Sequence, residues 1–274
     1  MSPDLAGGDL AFAVALAERA GRLLMERYER VEQVGFKGAK DIVTEVDHLS
    51  EALILEAIRR RCPADAILAE ETGGHHAPAG ESPTSGRGRT WVVDPIDGTI
   101  NYANGIPFFC VSIALVVDGR PAVGVIHDPV RHETFAATAE GPATLDGRVI
   151  EVSGKVRLTD YVVSLSLSGR AVARRISAVR KAIRVSRSMG SAALALAYVG
   201  CGRFDAFVQQ GGLSLWDIAA AGLIAERGGA LVSDLSGGPW FQMAKGPATI
   251  GLVAAPPAGH PAFMALVRGT SSDG

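Results

Sequence analysis

Two aspartates stand three residues apart in the stretch WVVDPIDGTIN, residues 91–101, and they are the first sign of chemistry in this chain. Trp91, Val92 and Val93 read as the end of a buried strand, after which Asp94 opens a corner. Pro95 has no amide to give to a ladder, and Gly98 permits a backbone conformation or close approach that a side chain would block. Asp94 and Asp97 are thereby drawn toward one point. Two such carboxylates repel unless one is protonated or a cation sits between them, and hard divalent cations such as Mg²⁺ take oxygen ligands. Thr99 and the amides after Gly98 start the next helix, whose positive N-terminus can receive a phosphate. Taken alone, the same letters also describe an Asp-Pro turn followed by a Gly-containing loop.

Two further acidic segments have the right character. The run AILAEE, residues 66–71, reads as a short apolar strand ending in Glu70 and Glu71 just before a long loop rich in Gly, Pro and Ser. Adjacent glutamates are usually solvated, but a strand end beside a long loop is a common place for chemistry. In SLWDIAAAGLIAERGG, residues 214–229, Asp217 opens an alanine-rich helix, where an aspartate serves as a helix cap, a metal ligand, or both. His75 and His76 lie in the loop with no His or Cys at ligand spacing, so they read as solvent-exposed.

Several elements must hold these side chains. Residues 9–30 read as an amphipathic helix lying on the body, and Asp47 as the cap of a helix over 48–61 with an apolar stripe. The segment FFCVSIALVVDGRPAVGVIHDP predicts two strands joined at Asp118-Gly119, with more strand pattern from Thr134 to Val152. Val162 to Leu167 is again strand-like, and helices are expected over 171–183, 191–199, 215–227 and 261–267. A sheet layered with helices is the economical architecture. A seam near residues 153–159 separates halves 1–155 and 156–274 of one compact unit.

The bulk properties exclude several classes. With 274 residues and 47% apolar content the chain can bury a large core. A formal charge of -2 gives no global field to recruit nucleic acid or a membrane surface, so a small anion needs a local attractor. Cys62, Cys110 and Cys201 form no CxxC and no even set, which points to a reducing cytoplasm rather than a disulfide framework. The acidic start MSPDLAGGDL lacks signal-peptide order, and the apolar run 108–117 is too short to span a bilayer.

Five segments, KGAKDIVTEVD, AEE, DPIDGTIN, GSAA and WDIAAAG, occur in the order seen in the inositol monophosphatase family, which the chain resembles from Lys37 to Gly229. The resemblance implies an α/β (α+β) fold, a layered αβαβα sandwich of the inositol monophosphatase and fructose-1,6-bisphosphatase type, as a single domain over 1–274. It implies a magnesium centre with two or three ions. Glu70, Asp94 and the Ile96 carbonyl would hold one, and Asp94, Asp97 and Asp217 a second. Glu70 and Thr99 would orient and deprotonate the attacking water, with Asp47 and Thr44 acting from behind them. The amides of Gly98 and Thr99 would bind phosphate oxygens. Phosphate ester hydrolysis needs the substrate charge neutralised, a nucleophile generated near neutral pH and a leaving alkoxide stabilised, and paired magnesium ions supply all three.

The partner so implied is a small phosphate monoester: inositol monophosphate or a similar polyol phosphate, with histidinol phosphate, fructose 1,6-bisphosphate and 3'-phosphoadenosine 5'-phosphate as competitors. A non-catalytic binding or regulatory protein on the same fold is the rival class. Gly190, Ser191 and Ala192 match the family loop beside the substrate, which Asp97 and Asp217 also border. Gln210 stands seven residues before Asp217, where inositol-specific members carry a glutamate. The basic run from Arg170 to Arg187 reads as a solvated face or as a subsite for a second anion. The resemblance further implies a homodimer, with no nucleic-acid or membrane partner.

Overall fold

The computed structural model describes residues 3–30, 34–38, 41–77, 80, 82–167 and 173–269. Helix α1 (Pro3–Arg27) is followed by a ribbon of β1 (Val34–Gly38) and β2 (Asp41–Thr44), then by α2 (Glu45–Arg61). Next come β3 (Ala66–Ala69), β4 (Gly73–His75), β5 (Arg89–Asp97), the short α3 (Thr99–Ala103), β6 (Cys110–Val117), β7 (Arg120–Asp128), β8 (Glu133–Thr138), β9 (Thr144–Leu145) and β10 (Arg148–Val149). The second half runs through β11 (Val162–Ser166), α4 (Ala173–Ala182), β12 (Val185–Arg187), α5 (Ala192–Gly200), β13 (Ala206–Leu213), α6 (Leu215–Arg227), β14 (Leu231–Asp234), β15 (Ile250–Ala255) and α7 (His260–Arg268).

Eight strands form one sheet, ordered β10-β9-β8-β7-β6-β5-β3-β4, and five form another, ordered β12-β11-β13-β15-β14. Successive side chains on a strand point to opposite faces, so a strand buried on both faces feeds two cores. On the large sheet Trp91, Val93, Ile113, Leu115 and Val125 pack with α1 and α2, while Val92, Ala114, Val116, Ile126 and Phe135 pack with α5 and α6. The same middle core takes Phe207, Leu252 and Ala254 from one face of the small sheet. Val163, Val208, Val253 and Ala255 face the other way, onto Val179 and Ile183 by α4 and Phe263 of α7. The layers are therefore helix, sheet, helix, sheet, helix, as the resemblance implies. Among the described residues no helix is long and apolar enough to cross a membrane.

Several local expectations are corrected. The first helix spans Pro3–Arg27. Helix α2 starts at Glu45, with Thr44 as its N-cap: the Thr44 side chain accepts from the Val46 amide, and Asp47 returns a bond to the Thr44 amide. Asp47 is thus the third helical residue of a reciprocal capping pair. Part of the long loop is a strand, β4, pairing antiparallel with β3. His75 is held there by Arg59, 3.1 Å from Nδ1, and by Thr72, 2.7 Å from Nε2. Lys37 has its side chain outside the described residues.

Helix α6 lies against the large sheet where β7 has no side chain. A Cβ added at Gly124 would stand 2.7 Å from the Ala220 carbonyl oxygen and 2.9 Å from its Cα. The small residues Ala219, Ala220, Ala221 and Gly222 let the backbone come this close. The contact matters because α6 carries Asp217. Gly124→Ala is expected to lower stability by about 1–3 kcal/mol through overpacking, read as a shifted urea midpoint. An unchanged midpoint would mean that helix and sheet separate without cost.

Candidate active site

The register between β5 and β6 breaks between Asp94↔Ser112 and Asp97↔Cys110, three residues on one strand facing two on the other. In a regular strand, residues three apart point to opposite faces. The extra residue of a bulge cancels that and turns both aspartates to the same side. The strand does not end at Val93 but continues through Asp97, so the corner read from Pro95 is a bulge within a buried strand. Asp94 and Asp97 are 1% and 8% exposed. With Asp217, they place one carboxylate oxygen each within 4.8 Å of the others.

Asp217 reaches this point from α6, whose N-cap is Ser214. The Ser214 amide donates to Asp217 Oδ2 at 2.6 Å, a second reciprocal capping pair, which fixes the direction of the carboxylate. Ser112 on β6 ties the same helix start to the large sheet by donating to the Trp216 carbonyl at 3.0 Å. Asp97 is held from α5: the Ser191 hydroxyl and the Ala193 amide, at 2.7 Å, both donate to its Oδ2. Cys110 Sγ is 3.9 Å from the same oxygen.

Glu70 follows β3, which runs parallel to β5, and its amide donates to the Val93 carbonyl at 3.2 Å. Its side chain is hydrogen-bonded to Asp94, a contact that a shared proton or a cation must reconcile. Asp47 collects donors from the Thr44 amide at 2.8 Å, the Thr44 hydroxyl at 2.6 Å and the Thr99 hydroxyl at 3.0 Å. Thr99 Oγ1 is also 3.0 Å from the Ile96 carbonyl oxygen. The Asp47 carboxylate is therefore tied to both Thr44 and Thr99. Gly98 caps α3 in the left-handed region at φ 103. That helix has five residues, so its dipole is smaller than a full helix would supply.

The electrostatics follow from this crowding. Burial pushes the Asp94 carboxyl well above the usual carboxylate range, and repulsion from Glu70, Asp97 and Asp217 adds to it. Burial pushes Asp97 up to about 6, against the opposing effect of the Ser191 and Ala193 donors. Burial also raises Asp47, opposed by its bonds to Thr44 and Thr99. Buried carboxylates whose charged neighbours are other carboxylates suit a hard divalent cation, which offsets their repulsion and accepts their oxygens.

A cavity of about 270 Å³ opens beside the cluster, lined by Asp97, Asp217, Gly190, Ser191 and Ala192 together with Ser164, Ser166, Ser188, Met189, Phe207, Gln209, Gly212 and Leu213. Gln210 is exposed and is not among the lining residues, whereas its neighbour Gln209 is. Ser164 and Ser166 escaped the sequence reading, although their alternation with the buried Val163 and Leu165 is the signal that would have found them. Of the basic run, Arg184 pairs with Asp160 at 3.0 Å, and Arg180, Lys181 and Arg187 are exposed outside the cavity lining. The side chains of Arg170, Arg174 and Arg175 lie outside the described residues.

The sequence profile of the inositol monophosphatase family matches residues 9–271. A relative in Pseudomonas aeruginosa, Nus factor SuhB, is 39% identical over 244 residues, covering 85% of this chain and 87% of that protein. The fructose-1,6-bisphosphatase/inositol-1-monophosphatase of Thermotoga maritima is 38% identical over 229 residues, covering 83% and 85%. Among solved structures, the extragenic suppressor protein suhB of Bartonella henselae superposes with a TM-score of 0.87 at 30% identity, covering 96% of this chain and all of that one.

A cation held here would compete with protons on Asp94 and Asp97, since carboxylate ligands must be deprotonated. Magnesium is therefore expected to raise the melting temperature more at pH 8 than at pH 5. Above a pH of about 6 Asp97 is charged and repulsion is relieved by the ion; below it, protons already relieve the repulsion. Thermal melts with and without magnesium at the two pH values check this. An equal shift at both would remove these carboxylates from the binding site.

Proposed function

The chain belongs to the inositol monophosphatase family, and on that premise we propose that it is a magnesium-dependent phosphomonoesterase hydrolysing a small phosphate monoester by direct attack of water. The substrate class is an inositol monophosphate or a similar polyol phosphate. The observation that carries this reading is the convergence of Asp94, Asp97 and Asp217 beside Glu70 at the wall of a polar cavity. Glu70, Asp94 and the Ile96 carbonyl would hold one magnesium, and Asp94, Asp97 and Asp217 a second. The Ile96 oxygen keeps a lone pair beyond the one facing Thr99. Bound magnesium supplies the positive charge that offsets the phosphoryl oxygens and the acidity that makes water a nucleophile near neutral pH.

The protein groups do the rest. Thr99 donates its hydroxyl proton to Asp47, which turns an oxygen lone pair toward the incoming water. Thr99 and Glu70 orient that water; its proton goes to the Glu70 carboxylate, or to Thr99 as the Thr99 hydroxyl passes its own proton to Asp47. Ser191 is committed to Asp97, and burial raises the Cys110 thiol well above its ordinary range. Neither is a free nucleophile, which supports attack without a covalent phosphoenzyme. The same proposal includes a cytoplasmic location, supported by three free cysteines, and a homodimer, supported by the resemblance.

A second reading is favoured by the names of the relatives. Proteins called Nus factor SuhB are 35–39% identical to this chain, so a non-catalytic role on the same fold is the alternative. One experiment separates the two: phosphate release from inositol 1-phosphate, histidinol phosphate, fructose 1,6-bisphosphate and 3'-phosphoadenosine 5'-phosphate, with magnesium and with chelator. Magnesium-dependent release highest on the polyol phosphate is expected. Asp94→Asn should reduce it by roughly two orders of magnitude or more while circular dichroism stays native. Absence of release from every compound by the folded wild type would favour the non-catalytic role.

A further inference from the structure

The buried face of α2 carries Asp47, Ser50 and Glu51, which are 0%, 0% and 1% exposed. Positions i, i+3 and i+4 of a helix lie on one side, so the three side chains leave it together. Asp47 meets Thr99. Ser50 Oγ donates to the Pro95 carbonyl at 3.3 Å, inside the bulge that separates Asp94 from Asp97. Glu51 reaches a third segment: its Oε2 accepts the Glu71 amide at 2.8 Å and its Oε1 the Thr72 amide at 3.0 Å.

Those two amides belong to the turn that begins with Glu70. Residues 70–72 join β3 to β4, and Ala69 pairs with Gly73 across the closing rung. Gly73, at φ 75, supplies the left-handed step with which three-residue hairpin loops ordinarily return the chain. The reversal therefore has its own local device, and a carboxylate buried to receive two more amides carries a desolvation cost that a hairpin does not require. What the two bonds add is a fixed place for the residue just before them. The Glu70 amide is held to the Val93 carbonyl at 3.2 Å, and the next two amides are held to Glu51. The Glu70 backbone is thus fixed between the strand that carries Asp94 and the helix that carries Asp47, and its side chain sets out from there to Asp94.

We propose that Glu51 is a positioning residue, which by holding the 70–72 turn keeps the Glu70 carboxylate where it and Asp94 can share one cation. This rests on the reading of Glu70 and Asp94 as magnesium ligands.

The test compares magnesium binding by calorimetry in the wild type, Glu51→Gln, Glu70→Gln and the double variant. Glu51→Gln keeps the shape of the side chain but presents an NH₂ to one of the two amide donors. It is expected to weaken binding by roughly tenfold or more, the usual effect of losing a bond behind a metal ligand. Added to Glu70→Gln it is expected to change nothing further, because the ligand through which it acts is already gone. A loss of the same size in both backgrounds, or none in the wild-type background, overturns the role. The wild type gives a second measure that needs no variant to fold. Magnesium is expected to slow hydrogen exchange at the Glu71 and Thr72 amides, since coupling between ion and turn is reciprocal; exchange that the ion leaves unchanged overturns the role. Binding that follows this pattern in a protein that releases no phosphate upholds the role of Glu51 and overturns the phosphatase reading. Phosphate release whose magnesium requirement is the same in Glu51→Gln as in the wild type does the reverse.

Discussion

Three carboxylates pressed together, two buried and one half-buried, with a fourth touching one of them, cost free energy that the rest of the fold must offset. Desolvation disfavours each charge, and mutual repulsion disfavours all of them at once. The structure meets this cost with fixed donors: backbone amides at Asp97 and Asp217, the Ser191 hydroxyl at Asp97, and the Thr44 and Thr99 hydroxyls at Asp47. These bonds hold the carboxylates in direction without neutralising their charge, which suits the cluster to a cation.

The five layers explain how such a cluster is assembled from distant segments. Asp94 and Asp97 belong to the large sheet, while Asp217 and the Asp97 clamp come from the starts of α6 and α5, the two helices that fill the space between sheets. Gly124 and the alanines of α6 set the depth of that packing. The distance between these carboxylates thus depends on how closely a helix backbone can approach a sheet. A bulky side chain at the contact would act on the site from afar.

The chemistry divides into two regions of opposite character. One is anionic and buried, suited to cations and, through them, to phosphate. The other, among the described residues, is lined mainly with hydroxyls and an amide, suited to a hydroxylated group. Asp97 and Asp217 border both. On the proposed function, the reacting end would be read by charge and the leaving end by hydrogen bonding, where an unpaired polar group carries a large penalty. The basic residues described on α4 and β12 belong to neither region, and Arg184 is already paired with Asp160.

By itself the sequence offered Glu70, Asp94, Asp97 and Asp217 as candidates, each ending an apolar strand or opening an alanine-rich helix, and only the family resemblance gathered them into one set. It also determined the strand and helix order, since periods of two and of about 3.6 are written in successive side chains. The Asp118-Gly119 turn, with φ of 48° and 76°, was equally local. Only the tertiary structure decided that Asp94 and Asp97 share a face, because that depends on a bulge set by pairing with β6. It alone decided that Thr44 caps α2 while Asp47 turns to Thr99, and that Gln209 rather than Gln210 meets the cavity. Each of these is a matter of register, and register is fixed by the neighbouring strand or helix rather than by the residues of the segment concerned.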